Sequence, residues 1–423
     1  MLDLDFVRSR FPALDSGWAY LDNGGGSQIV QPVLDRLHEF LVGSFVQVGA
    51  TYVPSTLATE RLERAHRAVA TLVNAREPDE VVMGPSTTAL FGTLARSLAE
   101  TIEPGDEIVV TRGDHEANIA PWLTLERAGA IVRWWEIDPA GELSLEALDA
   151  VLGPKTRLVS VTHASNILGT INPIRAIPDR VHAAGAWLCV DGVGFAPHRA
   201  VDVQELDVDF YAFSFYKTFG PHHAVLFGRK EHLLRLPGQS FGFIEEDDVP
   251  YKFQPGNVNY ELSYAVLGIT DYLQEVADGL GRTAETVGPD SGRRGDDAHA
   301  GREVRTAVES AFGAIADHEE RLCDRLLGFL RARPRVRILG SPEADREIRV
   351  PIVSFVTPDV ASRTIVEAVD DHRVGIRFGD FYSRRLVDAL DLPDEDGVVR
   401  VSMVHYNTLT EMDRLIEALD AAL

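Results

Sequence analysis

Residues 187–228 read WLCVDGVGFAPHRAVDVQELDVDFYAFSFYKTFGPHHAVLFG and hold three short apolar runs, WLCVD, VDFYAFS and AVLFG, each ending at a glycine or polar turn. Upstream, EIVVT (107–111), IVRWW (131–135) and RLVSVTH (157–163) repeat the pattern. Apolarity that is continuous rather than alternating predicts strands buried on both faces. Helical stretches separate some of them, LSLEALDAVL at 143–152 and IPDRVHAAG at 177–185, the second ended by Gly185 as a C-cap would end it. This alternation predicts an α/β domain with a mostly parallel sheet. In such sheets ligands gather at the carboxyl ends of the strands, so the residues just after each run matter most.

Downstream the text changes. Residues 278–302, DGLGRTAETVGPDSGRRGDDAHAGR, carry almost no apolar periodicity and read as a surface loop or insertion. A helical stretch at 309–333 then precedes strand-like runs at 335–339, 348–356, 373–378 and 398–404, with helices expected at 360–370 and 409–422. A large domain over 20–277 and a smaller α+β domain over 303–423, with 1–19 packed on it, is the expected partition. The 423 residues exceed what one hydrophobic core usually holds.

Composition narrows the partners. Hydrophobic residues make up 45% and charged residues 25%, which suits a globular chain with a large core. A net charge of −24 repels phosphate backbones and anionic lipid surfaces, so neither nucleic acid nor membrane is an expected partner. No stretch approaches the ~18 apolar residues of a membrane span, and the start, MLDLDFVRSRFPAL, lacks a leader's pattern. Two cysteines, Cys189 and Cys323, build no disulfide framework and sit in no zinc pattern. A cytoplasmic location is expected.

The chemistry centres on FSFYKTFG at 213–220, where Lys217 lies among aromatics just after a buried strand. Desolvation there lowers an amine's pKa and readies it to form an imine with a carbonyl. Asp191 closes the run WLCVD at what the sheet reading makes a neighbouring strand end. An imine-forming lysine, together with a carboxylate that keeps a pyridine nitrogen protonated, meets the demands of pyridoxal 5'-phosphate. His115, after EIVVT, could stack on such a ring. Its rival reading, a metal site, loses support because Asp114, His115 and Glu116 are consecutive and point to alternating faces, so they could not all reach one ion; the adjacent His222 and His223 meet the same objection. Ser86, Thr87 and Thr88 open a helical pattern where free backbone N–H groups favour a phosphate, and Ser214 could add a hydroxyl. Neither a P-loop nor a dinucleotide glycine fingerprint appears.

In order along the chain, YLDNGG (20–25), DHEANIAPW, THASNILGTINPI, VDGVGFAPH, FSFYKTFGP, FQPGNVNYE and VVRVSMVHYNTLTEMDRL resemble the fold-type I pyridoxal phosphate enzymes of the class V aminotransferase group, with its cysteine desulfurases and selenocysteine lyases. The resemblance implies the aspartate aminotransferase-like fold, an amino acid substrate and a homodimer with active sites at the subunit interface. It makes Lys217 the lysine of the internal aldimine, Asp191 the partner of the pyridine nitrogen and His115 the stacking base. It gives Asn166 to the phenolic oxygen and Thr87, Thr88 and Ser214 to the phosphate, with Tyr216 in the cofactor pocket. Asn257 or Asn259 would reach the partner's phosphate, Arg400 would hold the substrate's α-carboxylate, and Asn23 and Arg377 would join it. A guanidinium fork suits a carboxylate bidentately.

Three departures stand out. Ungapped alignment puts Tyr382, in GIRFGDFYSRRL, where desulfurases carry the cysteine that accepts sulfur, and Cys189 and Cys323 read as core thiols. Gly194 replaces a glutamine near the phenolic oxygen, and Tyr216 replaces the histidine before the lysine. The expected activity is therefore a lyase working through Lys217, by β-elimination or by decarboxylation or aldol-type chemistry at Cα. An aminotransferase, a cysteine desulfurase and, more remotely, a non-catalytic scaffold or metallohydrolase are the alternatives.

Overall fold

The computed structural model describes residues 2–282, 297–392 and 396–423. Thirteen strands occur among them: β1 (Ala19–Tyr20), β2 (Val81–Gly84), β3 (Glu107–Thr111), β4 (Ile131–Trp135), β5 (Thr156–Thr162), β6 (Trp187–Asp191), β7 (Phe210–Ser214), β8 (Ala224–Gly228), β9 (Arg337–Leu339), β10 (Ile352–Val356), β11 (Val374–Gly375), β12 (Arg377–Gly379) and β13 (Val398–Ser402).

Seven of these form the sheet of the large domain in the order β2-β8-β7-β6-β5-β3-β4. The pairs from β7 to β4 are parallel, whereas β8 runs antiparallel to both β7 and β2. Every residue of β7 and β8 is buried, as continuous apolarity requires of strands covered on both faces. The exception is β4. It stands at the sheet's edge with Ile131 and Arg133 exposed, so IVRWW is not the doubly covered strand its composition predicts. Continuous apolarity cannot distinguish a central strand from an edge one.

The smaller domain carries an antiparallel sheet, β12-β13-β10-β9, packed on helices Asp297–Arg331, Ser362–Asp370 and Leu409–Ala422. The last helix opens with a capping box, in which Thr408 accepts from Glu411 N while the Glu411 carboxylate accepts from Thr408 N. β1 pairs with β11, and Ala19 and Leu21 enter the small domain's core. Arg8 donates to the Tyr406 carbonyl at 2.8 Å and pairs with Glu411, while Phe11 packs edge-on against Phe219 and Tyr272. The first residues thus wedge between the two domains. Where a loop was expected at 278–302, helix Leu267–Arg282 covers the start and helix Asp297–Arg331 the end, and 283–296 lie outside the described residues.

One close approach anchors the helices of the large domain. A Cβ on Gly268 would lie 2.3 Å from Val33 N and 2.4 Å from Pro32 C, so helix Leu267–Arg282 meets the start of helix Gln31–Gly43 backbone to backbone. Gly268→Ala is expected to destabilise the protein by about 1–3 kcal/mol through overpacking, read as a lower denaturation midpoint; an unchanged midpoint would contradict this packing.

Candidate active site

The carboxyl ends of β3, β5, β6 and β7 lie side by side, and each delivers a polar residue to one edge of the sheet. Register does the alignment: Thr162 of β5 pairs with Asp191 of β6, and Asp191 pairs with Ala212 of β7, two residues before Ser214. Asp191 is 3% exposed, and its Oδ1 accepts a 2.9 Å hydrogen bond from Val193 N. Burial pushes its carboxyl up to about 6, against the pull of that N–H and of the Lys217 charge. Lys217 ends a short 3-10 turn after β7. Burial and then the nearby Arg400 bring its amine down to about 8, opposed by Asp191 and Asp22. Among the described residues its Nζ has no hydrogen-bond or ion-pair partner, and it lies 5.9 Å from the centroid of the Tyr216 ring.

The helix Thr87–Ala99 starts beside that lysine's strand. Ser86 caps it by accepting from Ala89 N at 3.1 Å. Buried Thr87 Oγ1 lies 2.8 Å from Ser214 Oγ, while Thr88 is exposed. A desolvated amine without a partner, a buried carboxyl and two hydroxyls meeting at a helix start are a donor set that fits a phosphorylated pyridine aldehyde. Among the described residues no three His, Cys, Asp or Glu side chains are grouped to hold a metal.

His115 caps the 3-10 turn Glu116–Asn118, its Nδ1 accepting from Ala117 N at 3.0 Å, so any ring proton sits on Nε2. Burial, then the charges of Lys217 and Arg400, hold it down to about 4, leaving a neutral ring. Asp114 braces this turn. It is buried and accepts from Thr111 Oγ1 and Asn118 Nδ2, each at 2.6 Å, and from Thr162 N at 3.2 Å. Burial lifts its carboxyl to about 7, with the Asp191 charge adding to the effect. Sequence reasoning weighed Asp114 only as a metal ligand and missed this brace, which ties the local pair Thr111 and Asn118 to Thr162 of the neighbouring strand β5.

Arg400, 2% exposed on β13, enters from the small domain. One of its terminal nitrogens donates to Asp22 Oδ1 at 2.8 Å and the other to the Asn166 carbonyl at 3.3 Å, while Nε has no partner. The Phe381 ring covers it, 3.7 Å from Cζ. Asp22, inside the quoted YLDNGG, is a functional neighbour to which the sequence reading assigned no role. Arg377, with a side chain 57% exposed, stands outside, 4.0 Å from Asp22 Oδ2.

Several expected residues have other engagements. Asn166 donates from Nδ2 to the Phe381 carbonyl at 3.0 Å and accepts from Ser383 Oγ at 2.8 Å, so both ends of its amide face the 381–383 turn. Asn23 is 4% exposed and donates to the carbonyls of Tyr20 and Ser402 at 2.8 and 2.9 Å, while its Oδ1 accepts from the Tyr406 hydroxyl. Its polar atoms lock the loop that carries Asp22. Tyr216 stacks on His222 with ring centroids 4.8 Å apart. Exposed Asn257 lies with Thr88 and Asn259 along a cavity of about 520 Å³. A Cβ on Gly194 would sit 2.4 Å from the Ala164 carbonyl, so this backbone has no room for a glutamine. Cys189 and Cys323 are 0% and 1% exposed, and burial pushes both thiols up.

The family described as class-V aminotransferase matches residues 19–276 and 303–415. The aminotransferase-like protein FGM3 of Gibberella zeae is 40% identical over 429 residues, which cover 99% of this chain and 98% of that one. The cysteine desulfurase-like protein ustD of Aspergillus flavus is 34% identical over 434 residues, covering 99% and 90%. A solved cysteine desulfurase from Thermococcus onnurineus NA1 shares the fold, with a TM-score of 0.84 at 24% identity over 100% of this chain and 98% of that one. The chain belongs to the class-V aminotransferase family of pyridoxal phosphate-dependent enzymes.

Proposed function

We propose that this enzyme is a lyase that breaks a bond at or next to the Cα of an amino acid and carries no sulfur on a protein thiol. One observation supports the reading above others: both cysteines are buried, at 0% and 1% exposure, and the position of the family's sulfur acceptor holds Tyr382. A persulfide needs a thiolate that reaches its substrate, and burial disfavours both the charge and the reach.

Thr87 and Ser214 would hold the phosphate of the cofactor, Asp191 a proton on its pyridine nitrogen, and His115 would cover the ring. When bound, pyridoxal phosphate supplies an electron sink for the bond broken at Cα. Arg400 would take the α-carboxylate, its guanidinium already aimed by Asp22 and the Asn166 carbonyl. With the carboxylate fixed, the orientation of the amino acid selects the bond that breaks. Lys217 Nζ, neutral above pH about 8, would remove the α-proton and hold it for the departing group. A leaving group on Cβ then departs, giving β-elimination; loss of a carboxylate or of the side chain would instead give decarboxylation or aldol-type chemistry. A transaminase reading draws on the name of the relative at 40% identity and would require a keto acid as second substrate.

We further propose a homodimer with Asn257 at the subunit interface. Leu41, Val42, Phe45, Tyr52 and Val53 are 45–79% exposed in the single chain, an apolar surface that a second copy would cover.

Incubation with amino acids that bear a leaving group on Cβ should release keto acid and ammonia without added acceptor, leaving both cysteines unmodified in alkylation mass mapping. Persulfide on Cys189 or Cys323 would overturn the lyase reading. Arg400→Ala should weaken amino acid binding by about 2–3 kcal/mol, the loss expected for a charge-assisted pair, seen as a raised KM; an unaltered KM would remove Arg400 from the carboxylate site. Because burial lowers the Lys217 pKa to about 8, its neutral form grows as pH rises to that value. Cofactor uptake by apoprotein should therefore accelerate about tenfold per pH unit below 8 and level off above it. A rate still climbing at pH 10 would show an ordinary, solvated lysine.

A further inference from the structure

The turn 379–385 occupies the place where, by resemblance, desulfurases present a travelling cysteine. Here it is bonded across the cleft to the large domain. The Tyr382 carbonyl accepts from Glu116 N at 2.7 Å, and the Phe381 carbonyl from Asn166 Nδ2 at 3.0 Å. Ser383 Oγ donates to Asn166 Oδ1 at 2.8 Å. Arg385 Nε reaches Glu116 Oε2 at 3.3 Å, and its guanidinium lies 5.1 Å from the Trp134 ring. Behind the turn, a Cβ on Gly397 would meet Gly379 C at 2.3 Å, so two backbones touch there.

Its own conformation agrees. Phe381 and Tyr382 have φ of +51° and +59°, values that non-glycine residues hold only where the surroundings over-determine them. Asp380 supports the pair by accepting from Tyr382 N at 3.0 Å on Oδ1 and from Ser383 N at 2.8 Å on its carbonyl. The two rings part to different tasks: Phe381 covers the Arg400 guanidinium, while Tyr382, 71% exposed, has its ring centroid 5.5 Å from that of His115.

We propose that this turn is a fixed wall of the amino acid site and that Tyr382 is a specificity-determining residue, limiting the side chains admitted between His115 and Arg400. The inference rests on the reading that no thiol travels here. A carrier must swing to its substrate and back, and bonds to Glu116 and Asn166 prevent that. A tyrosine held by its backbone and left open on its outer face instead narrows the mouth.

Hydrogen exchange of the holoenzyme reads the wall without any turnover. Residues 379–386 should exchange slowly, and Arg385→Ala should speed them about tenfold together with the Glu116 amide. Binding of L-alanine and L-phenylalanine, followed by the spectrum of the bound cofactor, reads specificity. Tyr382→Ala should raise the phenylalanine-to-alanine affinity ratio about tenfold, whereas Tyr382→Phe should leave it unchanged. Exchange of 379–386 at the rate of an unstructured peptide, or an unmoved ratio in Tyr382→Ala, would overturn the proposal. Failure of the lyase reading would show separately, as persulfide on a cysteine with the exchange pattern intact.

Discussion

Desolvation at one edge of the sheet governs this molecule. Asp114, Asp191, Lys217, His115 and Arg400 are gathered where water is excluded, and an isolated charge is costly there. Each group responds in the direction that burial dictates: the two carboxyls rise, the amine and the imidazole fall. The two carboxyls and the amine thereby come closer to neutrality than in water, at about 7, 6 and 8, while the imidazole falls to about 4 and stays uncharged. Groups moved toward neutrality are suited to proton transfer. The sheet makes it possible, because parallel strands end together and each is followed by a turn free to carry a polar residue.

The second requirement is that two domains close on one another in a single arrangement. Arg400 belongs to the small domain, yet both of its bonded partners, Asp22 and the Asn166 carbonyl, lie elsewhere. Asp22 is placed by a loop whose Asn23 is clamped by Ser402, Tyr406 and Asn407. Buried Glu319 adds a further tie by accepting from His198 and Arg199. Asp22 and the Asn166 carbonyl thus hold the Arg400 guanidinium in one orientation.

Space is apportioned as strictly as charge. Gly194 leaves no volume for a side chain beside the Ala164 carbonyl, and Gly192 lets Tyr211 lie where a Cβ would stand 2.1 Å from its ring. Tyr211 in turn meets His163 Nδ1 at 2.9 Å, and the His163 ring stacks on Phe195 with centroids 3.5 Å apart. The floor beneath Asp191 is therefore packed by aromatics and excludes the water that would restore its ordinary acidity.

Much of this was legible in the chain itself. Lys217 and Asp191 announce themselves through local context, an ionisable residue at the end of an apolar run, because a strand end is a local feature that twenty neighbouring residues define. The fold class follows from the same runs, and the order of the motifs shows the family. Burial of both cysteines could also be read, Cys189 from its apolar run and Cys323 from its place on a helix outside any matching motif. Local context was silent wherever partners are far apart in the chain. It left β4 unrecognised as an edge strand, since strand order depends on non-local pairing. The amides of Asn23 and Asn166, which the resemblance gave to substrate and cofactor, bond Ser402, Tyr406, Phe381 and Ser383, partners that local context does not name. The brace at Asp114, the Asp22–Arg400 pair and the pinned 379–385 turn each join segments tens to hundreds of residues apart. Composition and periodicity determine which residues are driven inside; only the tertiary structure decides whom they meet there, because a hydrogen bond or ion pair depends on position in space rather than on separation along the chain.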